Sequence, residues 1–174
     1  MADSTSTTPP VAPSTTPARL WKKLTPPHRQ RVATAFWQAD DAVDDQVQAA
    51  LLIAQQKKFR PKSVLALDDD RKAKHLASMP SVPEQIAARA LVAYHLETQR
   101  PMMGAFLDAL GIAHESGVIQ ADDVKPDESK LAPAVDAIEK AYPAEDVALY
   151  LNVLLCQDPG TWSALGPIVE KKGW

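Results

Sequence analysis

The chain has 174 residues, of which 45% are hydrophobic, 6% aromatic and 24% charged, and its net charge is −3. That length gives room for one ordinary core, and the mild acidity argues against a domain built chiefly to hold nucleic acid. Cys156 is the only cysteine, so no intramolecular disulfide framework exists, and a reducing, cytoplasmic setting is expected.

Residues 1–17 are rich in Ser, Thr and Pro and have little to bury, so they are expected to form a disordered tail. They carry neither the basic start nor the apolar stretch of a secretory signal. From Ala18 to Leu24 a short amphipathic turn sets Leu20, Trp21 and Leu24 on one side. Thr25 is the expected cap of a helix to about Ala39, because Pro26 and Pro27 occupy first-turn positions whose N–H groups would find no partner anyway. Val32, Ala35, Phe36 and Ala39 form its buried stripe.

The next helix is expected over about Asp44 to Lys58, with Val47, Ala50, Leu51 and Ala54 facing the core. Its charges run from acidic to basic, the order that complements a helix dipole. Arg60-Pro61 is read as its stop, and Ser63 to Leu67 as a short helical piece. Asp68 should cap Asp69 to Met79. Ser81-Val82-Pro83-Glu84 has capping-box spacing, and the helix it opens runs to about Thr98. That helix is apolar nearly all round, with His95 inside it.

Pro101 opens a helix that ends at Gly111, where a C′ residue often needs positive φ. Ile112 to Pro126 is read as irregular. A helix follows over about Asp127 to Ala141, with Leu131, Val135, Ile138 and Tyr142 as its stripe and Pro133 placed near the first turn. Pro143 opens the last strong helix, Ala144 to Gln157, and a short helical piece surrounds Trp162 to Leu165. No apolar run reaches the ~20 residues that span a bilayer.

These elements predict a single all-α domain over 18–168, an irregular bundle of about eight helices, several of them short, with 169–174 as a short C-terminal tail. The alternative is a short HEAT-like repeat. An offset of 40 places Ala50, Leu51, Arg60, Pro61, Leu67 and Asp68 on Ala90, Leu91, Arg100, Pro101, Leu107 and Asp108.

Two clusters offer chemistry. Asp40, Asp41, Asp44 and Asp45 spell DDxxD, and aspartates three and four apart on a helix share a face that would suit Mg²⁺ with a pyrophosphate. The six-residue span 40–45 resembles the aspartate-rich motif of the all-α isoprenoid synthases and, more loosely, the acidic helices of all-α nucleotide pyrophosphohydrolases. The resemblance implies a metal-dependent phosphate or pyrophosphate enzyme with a second acidic motif across a cavity. Asp68-Asp69-Asp70, Asp122-Asp123 and Glu145-Asp146 are available, but none has the synthase pattern.

The second cluster is basic: Lys57, Lys58, Arg60 and Lys62, then Arg71 and Lys74, with Phe59 placed to stack, as a phosphate or nucleic-acid face would need. The first hundred residues carry 14 basic and 10 acidic side chains and the remainder 5 and 12, a net +4 against −7 that together give −3. Such asymmetry would also guide association between copies or with another protein.

The four histidines, His28, His75, His95 and His114, fall in no metal-binding spacing, and the glycines form no phosphate loop. No pattern gathers a nucleophile, a base and an orienting group. The leading expectation is a non-enzymatic module for protein–protein interaction or self-association, without a cofactor and outside the membrane. The Asp40–Asp45 enzyme and the Lys57–Lys74 nucleic-acid binder are its alternatives.

Overall fold

A computed structural model describes residues 15–174; the rest of the expected tail, residues 1–14, lies outside the described residues. The described chain is all-α apart from one minimal hairpin. Among the described residues no helix is long and apolar enough to cross a membrane.

Helix α1 (Pro17–Lys23) is capped by Thr16 and buries Leu20 and Trp21. The Trp21 indole donates to the Met79 carbonyl at 2.9 Å, so the most enclosed aromatic near the N-terminus keeps a partner for its polar atom. Helix α2 (Pro26–Gln38) begins as expected, with the Thr25 hydroxyl accepting from the His28 N–H and the two prolines in the first turn. Val32, Ala35 and Phe36 are buried on it, and His28 lies one turn earlier on the same side.

After a 3₁₀ turn (Asp40–Ala42) comes α3 (Val43–Lys57), which the structure rotates away from the expected stripe. Ala49, Ala50, Ile53 and Ala54 are buried, whereas Val47 and Leu51 face outward. The rotation has a tertiary cause. Gln46 donates its amide to the carbonyls of Phe36 (2.8 Å) and Ala39 (2.9 Å), satisfying the open end of α2 and fixing which side of α3 meets it.

Helix α3 ends at a left-handed residue, Lys58 (φ 56°), with the Phe59 N–H reaching back to the Ala54 carbonyl. This is a Schellman closure three residues before the proline expected to stop the helix. Pro61 instead opens α4 (Pro61–Leu65). Asp68 caps α5 (Asp69–Ala77) by accepting from the Arg71 N–H at 2.8 Å.

The capping box expected at Ser81 does not form. Helix α6 (Glu84–Thr98) starts at Glu84 itself, with Pro83 as N-cap and no side-chain cap. Glu84 is therefore in the first helical position rather than the third. Its carboxylate accepts from the Ala18 N–H at 3.1 Å and ties α1 to α6.

Helix α7 (Arg100–Leu110) ends at Gly111 with φ 71°, as expected. The segment read as irregular contains strands β1 (His114–Glu115) and β2 (Val118–Ile119), joined through Ser116 and Gly117, both at positive φ. A Cβ on Gly117 would stand 2.7 Å from the Met103 Cβ, so the hairpin can lie on α7 only with glycine there.

Helix α8 (Glu128–Ala141) holds Pro133 in its second turn rather than its first. The Asp127 carboxylate accepts from both the N–H and the hydroxyl of Ser129 and starts the helix ahead of that exposed proline. Helix α9 (Ala144–Gln157) follows, then α10 (Pro159–Trp162), a second 3₁₀ turn (Ser163–Leu165) and α11 (Gly166–Lys171). Val169 is buried, Lys172 bridges Asp136 and Glu139 on α8, and its ammonium lies 5.3 Å from the Trp174 ring. The chain thus folds back onto the body over 169–174.

The buried apolar residues form two clusters. One draws on α1 to α6, the other on α7 to α11. Helix α9 belongs to both, giving Leu149 and Val153 to the first and Val147, Tyr150 and Leu151 to the second. The 40-residue offset does not mark equivalent helices: α4 spans 5 residues and α7 spans 11, and Asp68 is a cap while Asp108 lies inside α7. The irregular bundle is the observed arrangement.

Candidate functional site

Four regions gather polar chemistry or exposed apolar surface. The first joins α2, α6 and α9. His28 and Asp146 are buried, with the imidazole Nε2 3.1 Å from the Asp146 carboxylate, inside ion-pair range but off the line of a hydrogen bond. The Tyr94 hydroxyl donates to Asp146 at 2.8 Å and accepts from the Gln99 amide at 3.0 Å. Arg31 donates to Glu145 at 2.6 Å and approaches Asp146 to 3.7 Å.

Burial alone would raise the Asp146 pKa, but His28, Tyr94 and Arg31 together hold it below the ordinary aspartate range. Burial, with the carboxylate beside it, pushes the Tyr94 phenol up to about 12. Ligand atoms of His28, Glu145 and Asp146 lie within 4.8 Å of one another, the spacing of a cation site. The Arg31 guanidinium already supplies positive charge to both carboxylates, so the group works as a polar clamp between helices.

The sequence-derived clusters occupy other places. Asp40 and Asp41 stand in the 3₁₀ turn, Asp44 and Asp45 in the first turn of α3. Arg89 of α6 reaches Asp41 at 2.6 Å and Asp45 at 3.8 Å, and Gln85 donates to Asp45 at 2.7 Å. The structure thus brings a cation to two of the four aspartates, whereas Asp40 and Asp44 make no ion pair among the described residues.

Lys57, Lys58, Arg60 and Lys62 cluster at the exposed corner between α3 and α4. The Phe59 ring meets His75 edge-on at 5.6 Å, which brings this corner to α5. There, however, Arg71 is paired with Asp68 (3.4 Å) and Lys74 with Asp70 (2.6 Å), so the charge of the second basic group is locally offset.

The fourth region is the outer side of α3. Val43, Val47 and Leu51 are 58%, 38% and 43% exposed and follow one another at four-residue spacing. Beside them a groove of about 510 Å³ runs between α3 and the start of α6, lined by Asp44, Gln48, Leu51, Gln55 and Ile86 among others. Phe59, just past the end of α3, and Leu65 on α4 are also exposed.

The interhelical clamp escaped sequence reasoning because its partners are far apart in the chain. Its one legible sign is His28 at the buried spacing of α2. The outward stripe also escaped, since Val47 and Leu51 satisfy the same periodicity whichever side of α3 is buried. Comparison with known proteins returns no match: no family model, curated protein or solved structure aligns significantly with the chain.

Proposed function

We propose that this protein is a non-enzymatic helical interaction module that associates with a second copy of itself through α3 and α4. The observation that carries this reading is the outward stripe of Val43, Val47 and Leu51, three aliphatic side chains left to water on one line of a well-formed helix. Covering each would contribute up to about 1.5–3 kcal/mol, less here because each is already part-buried.

The charge order of α3 supports a second copy as the occupant. Asp40, Asp41, Asp44 and Asp45 stand at its start, and Lys57, Lys58, Arg60 and Lys62 at or just beyond its end. Two such helices packed antiparallel about a twofold axis set each acidic end against the other's basic end, as an isologous interface requires. A stable interface needs roughly 1,200–2,000 Å² in total, more than three side chains supply, so the proposed dimer also draws on the exposed Phe59 and Leu65.

Sedimentation equilibrium over a wide concentration range tests the proposal. A reversible dimer is expected, weakened by salt because the charged ends are exposed. The double substitution Val47→Glu with Leu51→Glu should give a monomer with unchanged far-UV circular dichroism. A wild-type protein that stays monomeric at millimolar concentration, or a folded double variant that dimerises equally well, overturns it.

A further inference from the structure

A second cavity, separate from α3, lies where α6, the hairpin, α9 and α10 meet. Its volume is about 280 Å³, near the lower end of small-molecule pockets. Leu96, Met103, Leu154 and Trp162 are among its apolar walls, and His95 and Tyr150 are its two buried polar residues.

Their hydrogen-bonding state is unusual for buried groups. The His95 Nδ1 lies 2.7 Å from the Leu91 carbonyl, which can only accept, so Nδ1 carries the proton and Nε2 keeps a bare lone pair. Among the described residues no donor reaches that Nε2. Tyr150 is also buried, and burial alone raises its pKa, with no hydrogen bond contributing. The two rings are neighbours, their centroids 5.6 Å apart. A buried polar atom without a partner costs about 1–3 kcal/mol; His95 Nε2 is one, and the neighbouring Tyr150 hydroxyl makes no hydrogen bond among the described residues.

We propose that this cavity is a binding site for a small, uncharged, largely apolar molecule bearing a hydroxyl group, which donates to His95 Nε2 and accepts from the Tyr150 hydroxyl. A hydroxyl is the simplest group that does both. The buried part of the lining is apolar apart from the neutral His95 and Tyr150 side chains, and so excludes an ionised ligand at that depth. Asp158 and Gln157 are polar exceptions among the lining residues, and both are exposed. The site is independent of the α3 surface, so each proposal stands or falls without the other.

The test uses the full chain and two probes of nearly equal size, p-cresol and toluene, titrated while backbone amide resonances are followed by NMR. Cresol should shift the amides of Gly117, Val118 and Leu154 and bind about tenfold tighter than toluene, the difference made by hydroxyl contacts. Tyr150→Phe should bring cresol affinity toward that of toluene and leave toluene unchanged. Equal binding of both probes to the wild-type protein overturns the polar recognition. No shift at these amides with either probe at millimolar concentration overturns the site. Both results come from the unmodified protein, so a variant that folds poorly does not blunt the test.

Discussion

The stability of this protein should fall steeply between pH 6.5 and pH 4, because of one side chain. His95 is almost wholly buried, and that burial drives its pKa from 6.5 down to about 4, the Leu91 hydrogen bond and Asp146 opposing the change only in part. Above pH 6.5 the imidazole is neutral in both the folded and the unfolded chain and stability is at its full value. Between 6.5 and 4 the unfolded chain takes up a proton that the folded chain refuses, so stability is lost as pH falls. Below 4 both forms are protonated and the loss stops growing. At about 1.4 kcal/mol per pKa unit the full loss is about 3 kcal/mol, most of it complete by pH 4.5. Urea titrations at pH 7.5, 6.5, 5.5 and 4.5, followed by circular dichroism, measure it directly. His95→Asn retains a donor for the Leu91 carbonyl but does not titrate; it should be less stable at pH 7.5 and should lack most of the slope. If wild-type stability is level across that range, or the Asn variant loses as much as the wild type, the burial argument is refuted.

Two further outcomes follow from other parts of the fold. Asp146→Asn removes the charge that Tyr94, His28 and Arg31 converge on, and should lower stability by about 2 kcal/mol in urea titrations at neutral pH. Because the folded-state pKa of Asp146 is depressed, its contribution is present above the ordinary aspartate range and lost as pH drops through and below it, so the variant should also show a shallower acid limb below about pH 4. Lys58→Gly should stabilise the protein by about 1 kcal/mol, since a left-handed conformation is costly for lysine and easy for glycine. Calorimetry should then show a rise in melting temperature of about 3 °C.

What the sequence discloses here is what is local. Thr25 with two prolines, Asp68 and Gly111 act within one turn of themselves, and each takes its expected part in starting or ending a helix. Ser81 fails as a cap because Glu84 is drawn to the start of α1, sixty-six residues earlier in sequence. The rotation of α3 rests on Gln46 reaching the end of α2, so its alternating apolar and small residues leave two sides equally acceptable until α2 is present. For the interhelical clamp, His28 and Asp146 each look ordinary in their own segment, and only packing brings them together. The hairpin is two residues per strand, too short for an alternation to show, and its one sign is the Ser116-Gly117 pair.

The placement of α9 has a consequence for how the chain comes into being. The first apolar cluster spans Leu20 to Tyr94 but is completed by Leu149 and Val153. During synthesis from the N-terminus, that half of the molecule leaves the ribosome before the two α9 side chains that complete its core. The two clusters are therefore joined through α9 rather than separate, each drawing part of its core from that one helix. Loosening α9 alone would open both halves of the core at once.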